Sequence, residues 1–199
     1  ICDGFCEAPS SKVSSKLDQD SKAFALSSVV HPRVAKMARP SISKSMKGVQ
    51  GRVSTSSPKA REHVRQGFAL VHAQWNFEAY RHFSAALAID PDCIMAYAGV
   101  TLALIQPFNE YADYRRAAVL RMLDMNDADK AGIKKGQKAR FSASERGFVD
   151  AIAALVSQNP ESARDMLLKV AKDDPRFVQA KMIAVFLNRG GYNVANEPS

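Results

Sequence analysis

No run of about 18 apolar residues occurs anywhere in the chain, so no membrane-spanning helix is expected. Cysteine is scarce as well. Cys2, Cys6 and Cys93 are too few for a disulfide framework. Cys2 and Cys6 stand at C-x3-C spacing without further His or Cys nearby and read as an incidental pair. Cys93 reads as a small buried hydrophobe. No glycine-rich phosphate loop is present, because Gly190-Gly191 is too short and follows no strand. Acidic residues are missing altogether from Ser21 to Arg61. The chain also begins at Ile1 without Met, which reads as a fragment or a processed product.

What is present divides into two parts. The 199 residues carry a formal charge of +8 and an apolar fraction of 46%, enough for a real core. Residues 1–58 hold nine Lys/Arg against four Asp/Glu, so the basicity belongs mainly to the first quarter. Residues 1–57 also carry thirteen Ser and are interrupted by Pro9, Pro32 and Pro40. Such a segment buries little apolar surface by itself, and it is expected to be mostly disordered apart from the apolar patch at Ala23 to Val30. Three readings of this basic tail stay open: a targeting segment, a tether to nucleic acid or anionic membrane, or no function. No aromatic interleaving supports base stacking, which argues against nucleic acid.

From Pro58 onward the apolar residues recur at helical spacing. Ser57-Pro58 is a good helix start, and Val64, Gly67, Phe68 and Val71 then fall on one stripe. Trp75-Asn76 makes a turn, with Asn76 expected to cap the second helix. That helix carries Ala79, Tyr80, Phe83, Ala86 and Leu87 and stops at Asp90-Pro91. Two helices approach closely only where one offers a small side chain. Gly67 and Ala79 supply that gap, Phe83 fills the space towards the next helix, and Ala86 lets that helix come close. Glycine within a helix costs roughly 1 kcal/mol against alanine, so Gly67 implies a packing reason.

Gly67, Ala79, Phe83, Ala86 and Pro91 match in type and spacing the 34-residue pattern of the tetratricopeptide repeat, which this stretch resembles. The resemblance implies an all-α fold, a right-handed α-solenoid of antiparallel helix pairs preceded by a mostly disordered N-terminal segment. A second unit starts after Pro91 with Ile94, Tyr97, Val100, Thr101 and Leu104. It is broken by Pro107 and continues with an amphipathic helix from Tyr111 to Asp124. Asn126 to Lys138 reads as a polar loop. Ser142-x-x-Glu145 is a capping box that opens a third unit with Phe148, Ile152 and Leu155. There Ala163, Leu167, Val170 and Pro175 repeat the spacing of Ala79, Phe83, Ala86 and Pro91. The two closing prolines lie 84 residues apart, so the intervening repeat carries about sixteen extra residues. The units are 58–91, an expanded 92–138, 142–175 and a partial 176–189 with Ala180, Ile183 and Phe186. Residues 190–199 read as a truncated end.

Asp90-Pro91-Asp92-Cys93 followed by Met95-Ala96-Tyr97, Gly99, Pro107 and Asn109 is similar to a narrower group of bacterial repeat proteins that are typically exported. That likeness implies a scaffold in an exported or periplasmic setting, with a cytoplasmic one as the alternative.

No catalytic constellation emerges. His63 and His72 face opposite sides of one helix, and His82 on the next helix is not expected to meet them, so no metal is expected. Asp173-Asp174 sits at a helix end and reads as solvated or capping. No cofactor is implied. In stacked helix pairs the first helix of each unit lines the concave surface. This nominates Arg61, Arg65, Phe68, His72, Met95, Leu102 and Gln106, continued by Phe148 and Ile152, as a groove for a peptide or partner protein. The expected function is a non-catalytic protein-binding scaffold. The alternative is the accessory part of a larger exported enzyme or redox protein.

Overall fold

The computed structural model describes residues 26–44, 51–105 and 109–189, and among these every regular element is helical. The elements are α1 (Pro32–Ala35), α2 (Pro58–His72), α3 (Asn76–Ile89), α4 (Ile94–Ala103), a 3-10 turn (Asn109–Tyr111), α5 (Ala112–Lys134), α6 (Ala143–Val156), α7 (Pro160–Asp173) and α8 (Val178–Asn188). From α2 to α8 each helix packs on its successor; α2 also reaches α4, and α4 reaches α6. None of the helices is long and apolar enough to cross a membrane.

Two stretches are near copies of one another, 84 residues apart. In the first, Gln74 adopts a left-handed φ of 63° and Trp75 N–H donates to Leu70 O at 2.9 Å. In the second, Gln158 has φ 59° and Asn159 N–H donates to Ala154 O at 3.0 Å. The helix ends match too. Asp90 closes α3 by donating to Ala86 O, and Asp174 closes α7 by donating to Val170 O. Both aspartates then accept from the backbone two residues on, Asp90 from Asp92 and Asp174 from Arg176. These side-chain turns satisfy backbone groups that a helix end leaves open.

Capping follows the expected signals with one exception. Ser57 accepts from Ala60 N–H, Asn159 from Ser162 N–H, and Ser142 and Glu145 form the reciprocal capping box. Asn76, however, is the first residue of α3 and not its cap; Trp75 stands at that place with no side-chain bond.

Phe83 is the keystone of the first copy. A Cβ added at Gly67 would lie 2.6 Å from its ring, and one added at Gly99 only 2.2 Å away. The ring is therefore clamped between α2 and α4, which explains a glycine in each helix. All of α4 is buried as a result.

Two expectations need correction. Residues 126–134 are not a loop: α5 runs unbroken to Lys134. Its polar residues turn inward, where Asn126 Nδ2 donates to Asp150 and the Asp129 carboxylate accepts from Arg140 N–H and Arg146. The segment looked like a loop because its buried positions are polar. The basic tail is also not mostly disordered where it is described. Val34 and Val53 join the core, as do Val29 and Val30 of the apolar patch excepted from that expectation. The expectations for residues 1–25 and 190–199 lie outside the described residues.

The reason for the second correction is borrowed surface. Tyr80 Oη donates to Val29 O and accepts from His31 N–H. Gln66 pairs with both backbone groups of Ser43, at 3.0 Å each. Arg81 donates to Ala38 O. The segment lacks apolar surface of its own, but the helices supply partners for its backbone.

Candidate functional site

The proposed groove is closed. Phe68, Met95, Phe148 and Ile152 are fully buried, and Leu102 is 1% exposed. The inner faces of the helices meet each other: Phe68 lies 5.1 Å from Phe83 and 5.9 Å from Phe148, which in turn lies 5.3 Å from Phe177. The first two are edge-to-face and the third is tilted; edge-to-face contacts stabilise by about 0.5–1.5 kcal/mol each beyond area alone. These residues are core and not a peptide-binding surface. Sequence spacing placed them on the inner face correctly but could not show that the inner faces converge. Gln106 lies outside the described residues.

Arg61, Arg65 and His72 have a different fate, remaining half-buried. His72 Nε2 is buried without a hydrogen-bond partner, and burial lowers its pKa to about 4. Arg61 and Arg65 face residues 51–54, which cross the starts of α6 and α8.

This crossing segment is the most specific polar feature of the molecule. Ser54 donates both its N–H and its hydroxyl to the buried carboxylate of Glu145. Glu145 also accepts from Ser142 N–H and Oγ, so four donors converge on one carboxylate. Thr55 Oγ1 donates to Asp90, and Arg61 donates to Thr55 O at 2.6 Å. Arg52 lies 3.9 Å from Asp174, which also accepts from Ser144 Oγ. Gly51 approaches so closely that a Cβ there would sit 2.5 Å from Gln179 Oε1. Between Gly51 and Thr55 the strap touches both copies, using the aligned pair Asp90 and Asp174. Asp174 is therefore an anchor, not merely a solvated helix end.

Sequence reasoning missed a histidine pair. His63 Nδ1 and His82 Nδ1 lie 3.2 Å apart in the interior between α2 and α3. One ring donates and the other accepts, so at least the accepting ring is neutral. Burial, reinforced by His82 and the cations Lys59 and Arg39, lowers the pKa of His63 to about 4; burial also lowers that of His82. The clue was available, since both lie within three turns of the hairpin on facing helices. Among the described residues no three metal-ligating side chains converge, so the pair has no third ligand. Cys93 is buried and its thiol is pushed up to about 12, as suits an unreactive core residue.

An open apolar groove lies beside α3. Leu26, Val30, Pro32 and Met37 form a groove of about 510 Å3 against Ala85 and Ala88 of α3. Comparison with protein families, curated proteins and solved structures gives no match to this chain.

Proposed function

We propose that the chain is a helical-repeat scaffold of the tetratricopeptide type, a right-handed solenoid of helix pairs, that binds a partner protein without catalysis. The supporting observation is the strap itself. The end of α3 and the start of α6 already hold a non-helical chain segment through side chains acting on its backbone and hydroxyls, chiefly Glu145 on Ser54 and Asp90 on Thr55. Side-chain carboxylates aimed at backbone N–H groups recognise an extended peptide with little dependence on its sequence. The peptide-receiving surface on this reading is the rim at Asp90, Glu145 and Asp174, in place of the filled inner face.

The test is exchange of the strap. In the full chain carrying Ser54→Gly and Thr55→Gly, a labelled synthetic peptide of residues 50–57 is titrated and followed by fluorescence anisotropy. Saturable binding that is lost when Glu145→Gln is added supports a peptide-receiving rim. Absence of binding to the loosened chain, or binding indifferent to Glu145, contradicts it.

A further inference from the structure

The strap and α2 enclose a pocket of about 310 Å3, lined by Arg52, Arg61, Arg65 and Ser142 together with the backbone of residues 51–54. Arg61 and Arg65 are four residues apart on α2 and so project from one face, where like charges repel. Arg52 adds a third cation from the strap. Among the described residues no ion pair joins Arg61 or Arg65 to an acid. Arg61 is oriented by Thr55 O at 2.6 Å. Arg65 Nε is buried and has no hydrogen-bond partner. A buried donor left unmade is unfavourable, and a charged one more so.

The acids that face this site are already engaged. Glu145 accepts from Ser54 and Ser142, and Asp174 stands 3.9 Å from Arg52 at the outer edge. The N-terminal end of α6 also lies here at Ser142, its donors taken by the Glu145 carboxylate of the capping box. The volume is several times the roughly 30 Å3 share of one water, room for a hydrated oxyanion.

We propose that this pocket is a binding site for a phosphate-type oxyanion, gripped by the guanidinium groups of Arg61 and Arg65 with Arg52 at its mouth. Guanidinium forks match the oxygens of both phosphate and carboxylate. Two guanidinium groups with no acid partner, Arg61 and Arg65, and Arg52 beside them favour the dianion over a single carboxylate. The site needs the strap in place and is independent of whether a partner peptide binds the rim.

The full chain is titrated with inorganic phosphate at constant ionic strength, reading backbone amide NMR shifts of Arg52, Val53 and Ser54 and the Nε–H of Arg65. Parallel titrations use O-phosphoserine and acetate. Saturable shifts with phosphate, weakened about tenfold or more in Arg65→Gln, establish the site. Arg65→Lys keeps the charge without the fork and gives an intermediate loss, which guards against a folding defect in the first variant. Arg164→Gln, on exposed α7, leaves binding unchanged. Tighter binding of O-phosphoserine than of phosphate assigns the site to phosphomonoesters; the reverse order assigns it to the free ion. Absence of saturable shifts, equal shifts with acetate, or indifference to both Arg65 variants overturns the proposal.

Discussion

The two copies, α2–α4 and α6–α8, share a chain path but not the way they fill it. Residues 84 apart pair as Gly67 with Ala151, Ala79 with Ala163, Phe83 with Leu167, Ala86 with Val170 and Gly99 with Ile183. In the first copy one large ring is clamped by two glycines. In the second the same space is divided between Leu167 and Ile183, both buried. The volume is conserved in kind while the side chains that fill it change, as close-packed interiors allow. The outer faces differ more. Every residue of α4 is buried, whereas α8 leaves Met182 and Val185 exposed at 39% and 42%. Their counterparts, Ala98 and Thr101, are small and covered. The first copy is also dressed by residues 26–44, which lie against α3; its counterpart α7 exposes Met166 and Leu168.

The largest effect is expected at the keystone. Phe83→Ala empties the space between Gly67 and Gly99 and is expected to destabilise by about 3–5 kcal/mol in urea titration. Gly99→Ala drives a methyl into the ring and is expected to destabilise by about 2–3 kcal/mol. Adding Phe83→Leu to Gly99→Ala moves the first copy towards the second copy's solution, so the double variant is expected to be more stable than Gly99→Ala alone. A purely additive loss would break the idea that the two copies solve one packing problem.

Next comes acidification, which separates the copies because Gly147 and Met166 stand where the first copy has His63 and His82. The folded chain holds His63 near pKa 4 against 6.5 when unfolded. Between those values the unfolded state binds more protons, so stability falls as pH drops below 6.5. For His63 alone the loss is roughly 2 kcal/mol at pH 5. His63→Gln with His82→Met is expected to reduce the fall in urea midpoints between pH 7 and 5, leaving the slope due to His72, whose pKa is lowered as far as that of His63. An unchanged slope would place the pH sensitivity outside the pair.

Smaller effects are expected on the outer faces. Val185→Thr on α8 is expected to stay within about 0.5 kcal/mol of the parent. Thr101→Val at the aligned buried position removes the hydroxyl that donates to Tyr97 O and is expected to shift stability by about 1 kcal/mol or less. Equal and large effects at both sites would mean that α8 is covered as α4 is.

Much of the helical layout was legible because its signals are local. Ser57-Pro58, Ser142 with Glu145 and Asn159-Pro160 each announce a helix start by side-chain chemistry within four residues. The spacing of Gly67, Ala79, Phe83 and Ala86 gave the close approach correctly. Residues 126–134 escaped because Asn126 and Asp129 are buried polar anchors, which a periodicity of apolar residues cannot reveal. The groove failed for a related reason. Helical phase puts Phe68, Met95 and Leu102 on the inner face, but only the tertiary path brings Phe68 against Phe148. The strap was illegible because its partners are distant: Ser54 finds Glu145, 91 residues away. A Ser-rich, basic composition argues only that a segment cannot build its own core.

The central claim is that residues 51–57 belong to the fold and clasp both copies. Hydrogen exchange at Ser54 N–H tests it most directly, because that amide donates to Glu145 at 2.6 Å. The account predicts protection at Ser54 comparable to the ends of α2 and α6 in the full chain, lost selectively in Glu145→Gln. Exchange of the Ser54 amide at the free-chain rate in the parent protein would contradict it.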